Sequence, residues 1–139
     1  MSRPMIAPPS LDDIEALARE ALAALPERLR RFTTELVIHV TEFPADDVVE
    51  EMELESPFEI LGLYQGTALD EKTVEASGSL PDMVFLYRRP ILDYWCETGE
   101  DLRHVVRHVL IHEIGHHFGF SDAEMEALEA EAEAEETRR

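Results

Sequence analysis

Residues 112–122 read His-Glu-Ile-Gly-His-His-Phe-Gly-Phe-Ser-Asp. On a helix, His112 and His116 share one face, a turn apart. Two imidazoles so placed can grip one tetrahedral metal ion, usually zinc, with Glu113 beside it as a base. The pattern continues to Gly119 and Asp122, giving H-E-x-x-H-x-x-G-x-x-D. A glycine there lets the chain leave the helix and turn back beneath the metal, so that Asp122 supplies a third, oxygen ligand. A fold for this chain must therefore provide a helix, a tight reversal and a scaffold that holds both.

The helix shows in its periodicity. From Asp101 to Phe118 there is no proline, and Thr98-Gly99-Glu100-Asp101 supplies a capping residue and first-turn acids. At about 100° per residue, Leu102, Val105, Val106 and Val109 make one apolar stripe. The same count places Glu113 and His116 near the middle of that stripe and His112 near its margin, with Arg103, Arg107 and Phe118 elsewhere. An ionisable triplet in positions expected to be buried is costly unless it is paired or metal-bound.

The other histidines carry less. His108 lies one turn before His112 and is either solvated or a hydrogen-bond support for a ligand. His104 points further round, toward the surface. His117 follows a ligand directly and projects about 100° away from it, which favours packing or a supporting hydrogen bond. His39 falls in the apolar run Leu36-Val37-Ile38-His39-Val40 and reads as a strand residue.

At 139 residues the chain reads as one domain, with a flexible N-terminus at 1–9 and a frayed acidic tail at 131–139. A domain of this length buries roughly two-thirds of its unfolded surface. The net charge of −19, from 31 acids against 12 bases, opposes binding to nucleic acid or to anionic membranes. The acids cluster: Glu42 to Glu59 holds eight and Glu124 to Glu136 seven, with no base in either run. Both runs read as solvated faces. One cysteine, Cys96, excludes an intrachain disulfide and fits a reducing compartment. Beside Trp95 it reads as a buried small hydrophobe. With no apolar leader and no stretch long enough to span a membrane, the expected location is cytoplasmic and the expected state a monomer.

Along the chain, residues 10–31 read as a helix capped by Ser10, which Pro26 kinks or divides. Strands are expected at 35–43, 60–65 and 83–88, the last closed by Pro90. A short acidic helix is expected at 44–54, a polar connection at 69–79 and a short helical turn at 91–96. A final helix starts at Ser121 with the capping box Ser121-x-x-Glu124. The expected class is α+β, a small three-stranded sheet packed on helices.

That order of elements resembles the minimal zincin-like metallopeptidases of bacteria. The matching stretches are Leu61-Gly62-Leu63-Tyr64-Gln65-Gly66, the run from Leu80 to Arg88, and Arg107 to Asp122. The resemblance spans about residues 30 to 130 and implies one Zn2+ per chain, held by His112, His116 and Asp122, with Glu113 as catalytic base. It also implies a peptide or protein substrate and an edge strand beside the cleft to which a peptide could add. Larger metzincins carry a methionine turn well after the third ligand. Here only Met125 is near, within the final helix, which leaves the floor of the site without a counterpart. The expected reaction is metal-assisted hydrolysis, with Tyr64, Tyr87, Arg88 and Arg89 as candidate donors to the developing negative charge. Two alternatives stand beside it. One is a metal-stabilised interaction module without turnover. The other is a small zinc-dependent ribonuclease, disfavoured because Asp122 stands where its third histidine would be and because of the negative charge.

Overall fold

In the computed structural model, which describes residues 7–66 and 81–137, helix α5 (Leu102–His117) is the element around which the others are arranged. Eight of its residues are buried, from Val105 to Gly115. Against it pack helix α1 (Leu11–Ala23), strand β2 (Gly62–Gln65) and helix α6 (Asp122–Thr137). The order of elements is completed by α2 (Glu27–Arg30), β1 (Val37–Thr41), α3 (Asp46–Glu51), a 3-10 turn (Pro57–Glu59), β3 (Met83–Tyr87) and α4 (Arg88–Thr98). The class is α+β, with a three-stranded sheet and six α-helices among the described residues. The connection expected at 69–79 lies outside them.

The sheet order is β1-β3-β2. β1 runs parallel to β3 with Ile38 opposite Val84, and β2 runs antiparallel to β3 with Leu63 opposite Phe85. Alternation along β3 sends Val84 and Leu86 into the core, while Phe85 stacks at 5.6 Å on His39 of β1. His39 is thus a strand residue on the face away from the core. Among the described residues β2 is an edge strand, and its approach to α5 is close enough to require Gly62. A Cβ there would lie 2.6 Å from Val109 Cγ1 and 3.0 Å from the Phe85 carbonyl.

Local chemistry sets the ends of the helices. Ser10 caps α1 through a capping box with Asp13. Pro26 divides the first helical run: α1 stops at Ala23, and Pro26 opens α2. Pro90 does not close the third strand. The strand ends at Tyr87, and Pro90 is the third residue of α4, in the first turn, where a missing N–H costs nothing. The expected short turn is therefore an eleven-residue helix, ended by Gly99 at φ 72°. Its buried side is Pro90 and Ile91, so Cys96, about 140° round from Ile91, is exposed and not the core residue its neighbours suggested. At the other end of the chain, α6 stays helical to Thr137.

The end of α5 is a full Schellman motif. Gly119 N–H bonds the His116 carbonyl at 3.2 Å, and Phe120 N–H bonds the Gly115 carbonyl at 2.8 Å. Gly119 takes φ 79°, a left-handed conformation that strains other residues. Phe32 stacks on Phe118 at 4.6 Å and meets Phe120 edge-on at 6.2 Å, holding the turn to the chain after α2. The reversed chain enters α6, whose Met125, Leu128 and Ala132 pack into the core. Arg88 ties the N-terminal segment down, its Nε donating to the Pro9 carbonyl at 2.7 Å and its guanidinium to Glu42 at 2.9 Å.

The contact at Gly62 yields a test. Gly62→Ala should lower the unfolding free energy by about 1–3 kcal/mol, the usual cost of overpacking. The penalty should shrink in a Val109→Ala background, where the obstructing methyl is gone. Urea denaturation of the four chains of this cycle measures both.

Candidate metal centre

Because α5 is covered on most sides, four of its histidines gather on one strip left open. His104, His108, His112 and His116 recur every fourth residue along it. The apolar stripe is wider than four residues indicated, so His116 is exposed, with 59% side-chain exposure, and not mid-stripe. Arg107, expected off the stripe, is buried at 7% exposure. Glu113 and His112 sit between these limits, on the margin of the strip.

His112 and His116 lie ring to ring at 5.7 Å, edge to face. Asp122, the first residue of α6, brings its Oδ1 to 3.9 Å from His116 Nε2. Ser121 performs the capping: its Oγ accepts from Glu124 N–H at 3.1 Å, and Glu124 returns a bond to Ser121 N–H at 2.8 Å. The Asp122 carboxylate is therefore left over for other work, with 90% side-chain exposure. Two ligand atoms on one tetrahedral zinc stand about 3.3 Å apart, given bonds of about 2.0–2.1 Å. The His116–Asp122 pair needs only a small inward movement of exposed side chains to meet that spacing.

His112 turns toward a different partner. Its Nε2 lies 3.3 Å from Glu129 Oε2 on α6, and His108 Nδ1 lies 2.6 Å from Glu129 Oε1. Among the described residues, His108, His112 and Glu129 are the set of three whose ligand atoms all fall within 4.8 Å of one another. His116 adjoins both His112 and Asp122, but the three do not reach that closeness together. Burial and the neighbouring His108 push the His112 pKa below its ordinary 6.5, and Glu129 opposes them. A neutral imidazole with a free lone pair is the form a metal requires. The donor set, imidazoles with carboxylates, suits zinc.

Glu113 faces the edge strand. Its Oε1 accepts the Tyr64 backbone N–H at 3.2 Å. Burial raises its pKa above the ordinary 4.5, against the lowering effects of that bond and of His116. A carboxyl so placed has the raised basicity that a general base needs. Of the candidate donors, Tyr64 presents its ring to His117, stacked at 3.9 Å, and its hydroxyl donates to Asp82 Oδ2 at 2.7 Å. Burial, followed by Asp82, holds the Tyr64 hydroxyl protonated well above its usual range. Tyr87 is pushed up to about 12, by burial first and then by the charges of Glu113 and Asp47. Arg88 is engaged with Glu42, and the Arg89 guanidinium sits over the Phe43 ring at 5.6 Å.

A cleft of about 700 Å³ runs along the open strip from His104 to His112, lined also by Glu113 and Gly62, and neither His116 nor Asp122 is part of its lining. Glu59, Glu100, Glu126, Glu129 and Glu133 also line it. Beneath the helix, Met125 fills the space under Gly115, where a Cβ would lie 2.5 Å from its Sδ. Met125 thus supplies a floor, although it belongs to the final helix. Glu129 is the residue that sequence reasoning passed over. Its signal was present: Met125, Leu128 and Ala132 define the inward face of α6, and Glu129 stands on the edge of that face, where an acid needs a partner.

Residues 33–132 match the family model for zincin-like metallopeptidases. The chain belongs to that family. No curated protein matches it. No helix among the described residues is long and apolar enough to cross a membrane.

The raised Glu113 pKa fixes the sign of a pH effect in the metal-free chain. Folded Glu113 holds its proton to higher pH than unfolded Glu113, so between 4.5 and the raised value the native state binds more protons. Its contribution to stability therefore falls as pH rises through that window. Glu113→Gln lacks this loss. The stability advantage of Glu113→Gln over wild type should grow above pH 4.5 and then level off. Thermal unfolding of both metal-free chains across pH 4–8 measures it, and a constant difference would contradict it.

Proposed function

We propose that this chain is a zinc-dependent peptidase that hydrolyses peptide bonds with Glu113 as general base. The observation that carries the reading is Glu113 itself: a half-buried carboxyl, adjacent in sequence to His112, aimed at the outer edge of β2 through the Tyr64 N–H. In this reading His112, His116 and Asp122 hold one zinc ion, which when bound supplies Lewis acidity and brings the pKa of a water to about 7.

The chain's own groups do the rest. An extended peptide adds to the outer edge of β2, which among the described residues has a sheet neighbour on one side only. Its arrival displaces Glu113 from the Tyr64 N–H and frees that donor for the substrate backbone. Glu113 then takes a proton from the attacking water and passes it to the leaving amine. Desolvation of Glu113 favours this cycle, because a carboxyl of raised pKa accepts the proton more readily at neutral pH. Of the two tyrosines kept protonated, Tyr87 is buried in the core, so the Tyr64 hydroxyl is the one to serve the developing oxyanion, and it must exchange its bond to Asp82 to do so. The acidic lining of the cleft opposes a polyanionic substrate and favours a peptide over RNA.

The test begins with any peptide that the wild-type chain cleaves. Glu113→Gln should retain zinc and lose hydrolysis by about 100- to 10,000-fold, the usual weight of a general base. His112→Ala should lose both zinc and hydrolysis. Rates compared at matched zinc occupancy decide it. Equal rates for wild type and Glu113→Gln would refute the base role, and a wild type inactive across a broad peptide library would refute the peptidase reading.

A further inference from the structure

The strip on α5 carries two histidines that the peptidase site does not use, and α6 places a carboxylate opposite one of them, His108. His108 Nδ1 and His112 Nε2 converge on the two oxygens of Glu129, at 2.6 and 3.3 Å. The two rings lie 4.0 Å apart and only 34° from parallel, so both present nitrogens to the same space. All three ligand atoms fall within 4.8 Å of one another. We propose that His108, His112 and Glu129 form a second metal site, one helical turn before the His112–His116 pair, that takes zinc or a similar borderline divalent cation.

Three features make it a site rather than a chance meeting of surface groups. His112 and Glu129 are about three-quarters buried, with side-chain exposures of 25% and 23%. Their neighbours Ile111 and Leu128 are fully buried, so the backbone on both sides is fixed. His108, at 53% exposure, opens the site to solvent and gives an ion a way in. The His112–Glu129 separation of 3.3 Å already matches the edge of a zinc tetrahedron, about 3.3 Å for bonds of 2.0–2.1 Å. Glu126 and Glu133 line the same cleft and raise the local cation concentration.

His112 belongs to both pairs, which has a consequence. A neutral imidazole offers one lone pair, because its other nitrogen carries the proton. The two positions are therefore alternatives, and the chain holds one ion at either. An ion at the upper position lacks His116 and withholds His112 from the lower one. Metal binding and hydrolytic competence are thereby separable.

The experiment titrates the chelator-stripped, full-length chain with Co2+ alone, followed by its visible absorption. His116→Ala removes a ligand of the lower position only and should still bind one Co2+ per chain. Adding His108→Ala to His116→Ala should then weaken binding by about 100-fold, the scale of losing one ligand of a few. Adding Glu129→Gln to His116→Ala should do the same without changing side-chain length, and thermal unfolding of each variant checks that the fold survives. If folded His116→Ala binds no Co2+, or binds it equally with and without His108, the proposal is overturned. Hydrolysis is not the readout, so this outcome is independent of whether the peptidase reading holds.

Discussion

Enclosure of helix α5 is the constraint on which the rest depends. Val105, Val106, Val109, Leu110, Ile111 and Ile114 are all buried in it, against α1, β2 and α6. At roughly 1.5–3 kcal/mol per fully buried aliphatic side chain, less what the unfolded chain already hides, this is worth on the order of 10 kcal/mol. Such a term decides the helix's rotation, and the ionisable residues take what is left. Four histidines line up as His104, His108, His112 and His116 along one open strip, while Arg107 is the charged residue that the packing takes inside. The chemistry of the protein is thus confined to a single groove by the packing of its core.

The second constraint is the reversal at Gly119. The Schellman bonds from Gly119 and Phe120 bring the chain back at once, so α6 runs alongside α5 rather than away from it. That single turn delivers three side chains to α5: Asp122 beside His116, Met125 beneath Gly115, and Glu129 across from His108 and His112. Ser121 and Glu124 cap α6 between themselves, which leaves the carboxylate of Asp122 uncommitted. The edge strand is set by the same kind of close fit. Gly62 lets β2 approach Val109, and that approach puts the Tyr64 N–H within reach of Glu113.

Much of this was legible in the chain. The family was legible as a resemblance carried by the motif. The α+β class, the three strands, the division at Pro26 and the caps at Ser10 and Ser121 follow from local spacing and turn chemistry, whereas of the acids expected in the first turn of α5, Asp101 is its cap. The errors share a cause. Four residues of α5 indicate a single apolar face, whereas the helix is covered on most sides, which turns His116 outward and Arg107 inward. Pro90 was read as a stop, although in a first turn it is a start. Cys96 was placed inside by its neighbour Trp95, before the burial of Pro90 and Ile91 had set the rotation of α4. Glu129 was hidden in an acidic run, where one inward-edge position looks like the solvated ones around it. Each of these depends on what packs against a helix, which periodicity within the helix does not contain.

The central claim is that a metal ion is held on the open strip of α5 through His112, closed by a carboxylate from α6. Anomalous diffraction at the zinc absorption edge, from crystals of the zinc-loaded chain, tests it most directly. The account predicts one strong peak per chain about 2.0–2.1 Å from a ring nitrogen of His112, with Asp122 or Glu129 completing the set. A zinc peak with full occupancy elsewhere, and His112 outside bonding distance of it, would contradict the account.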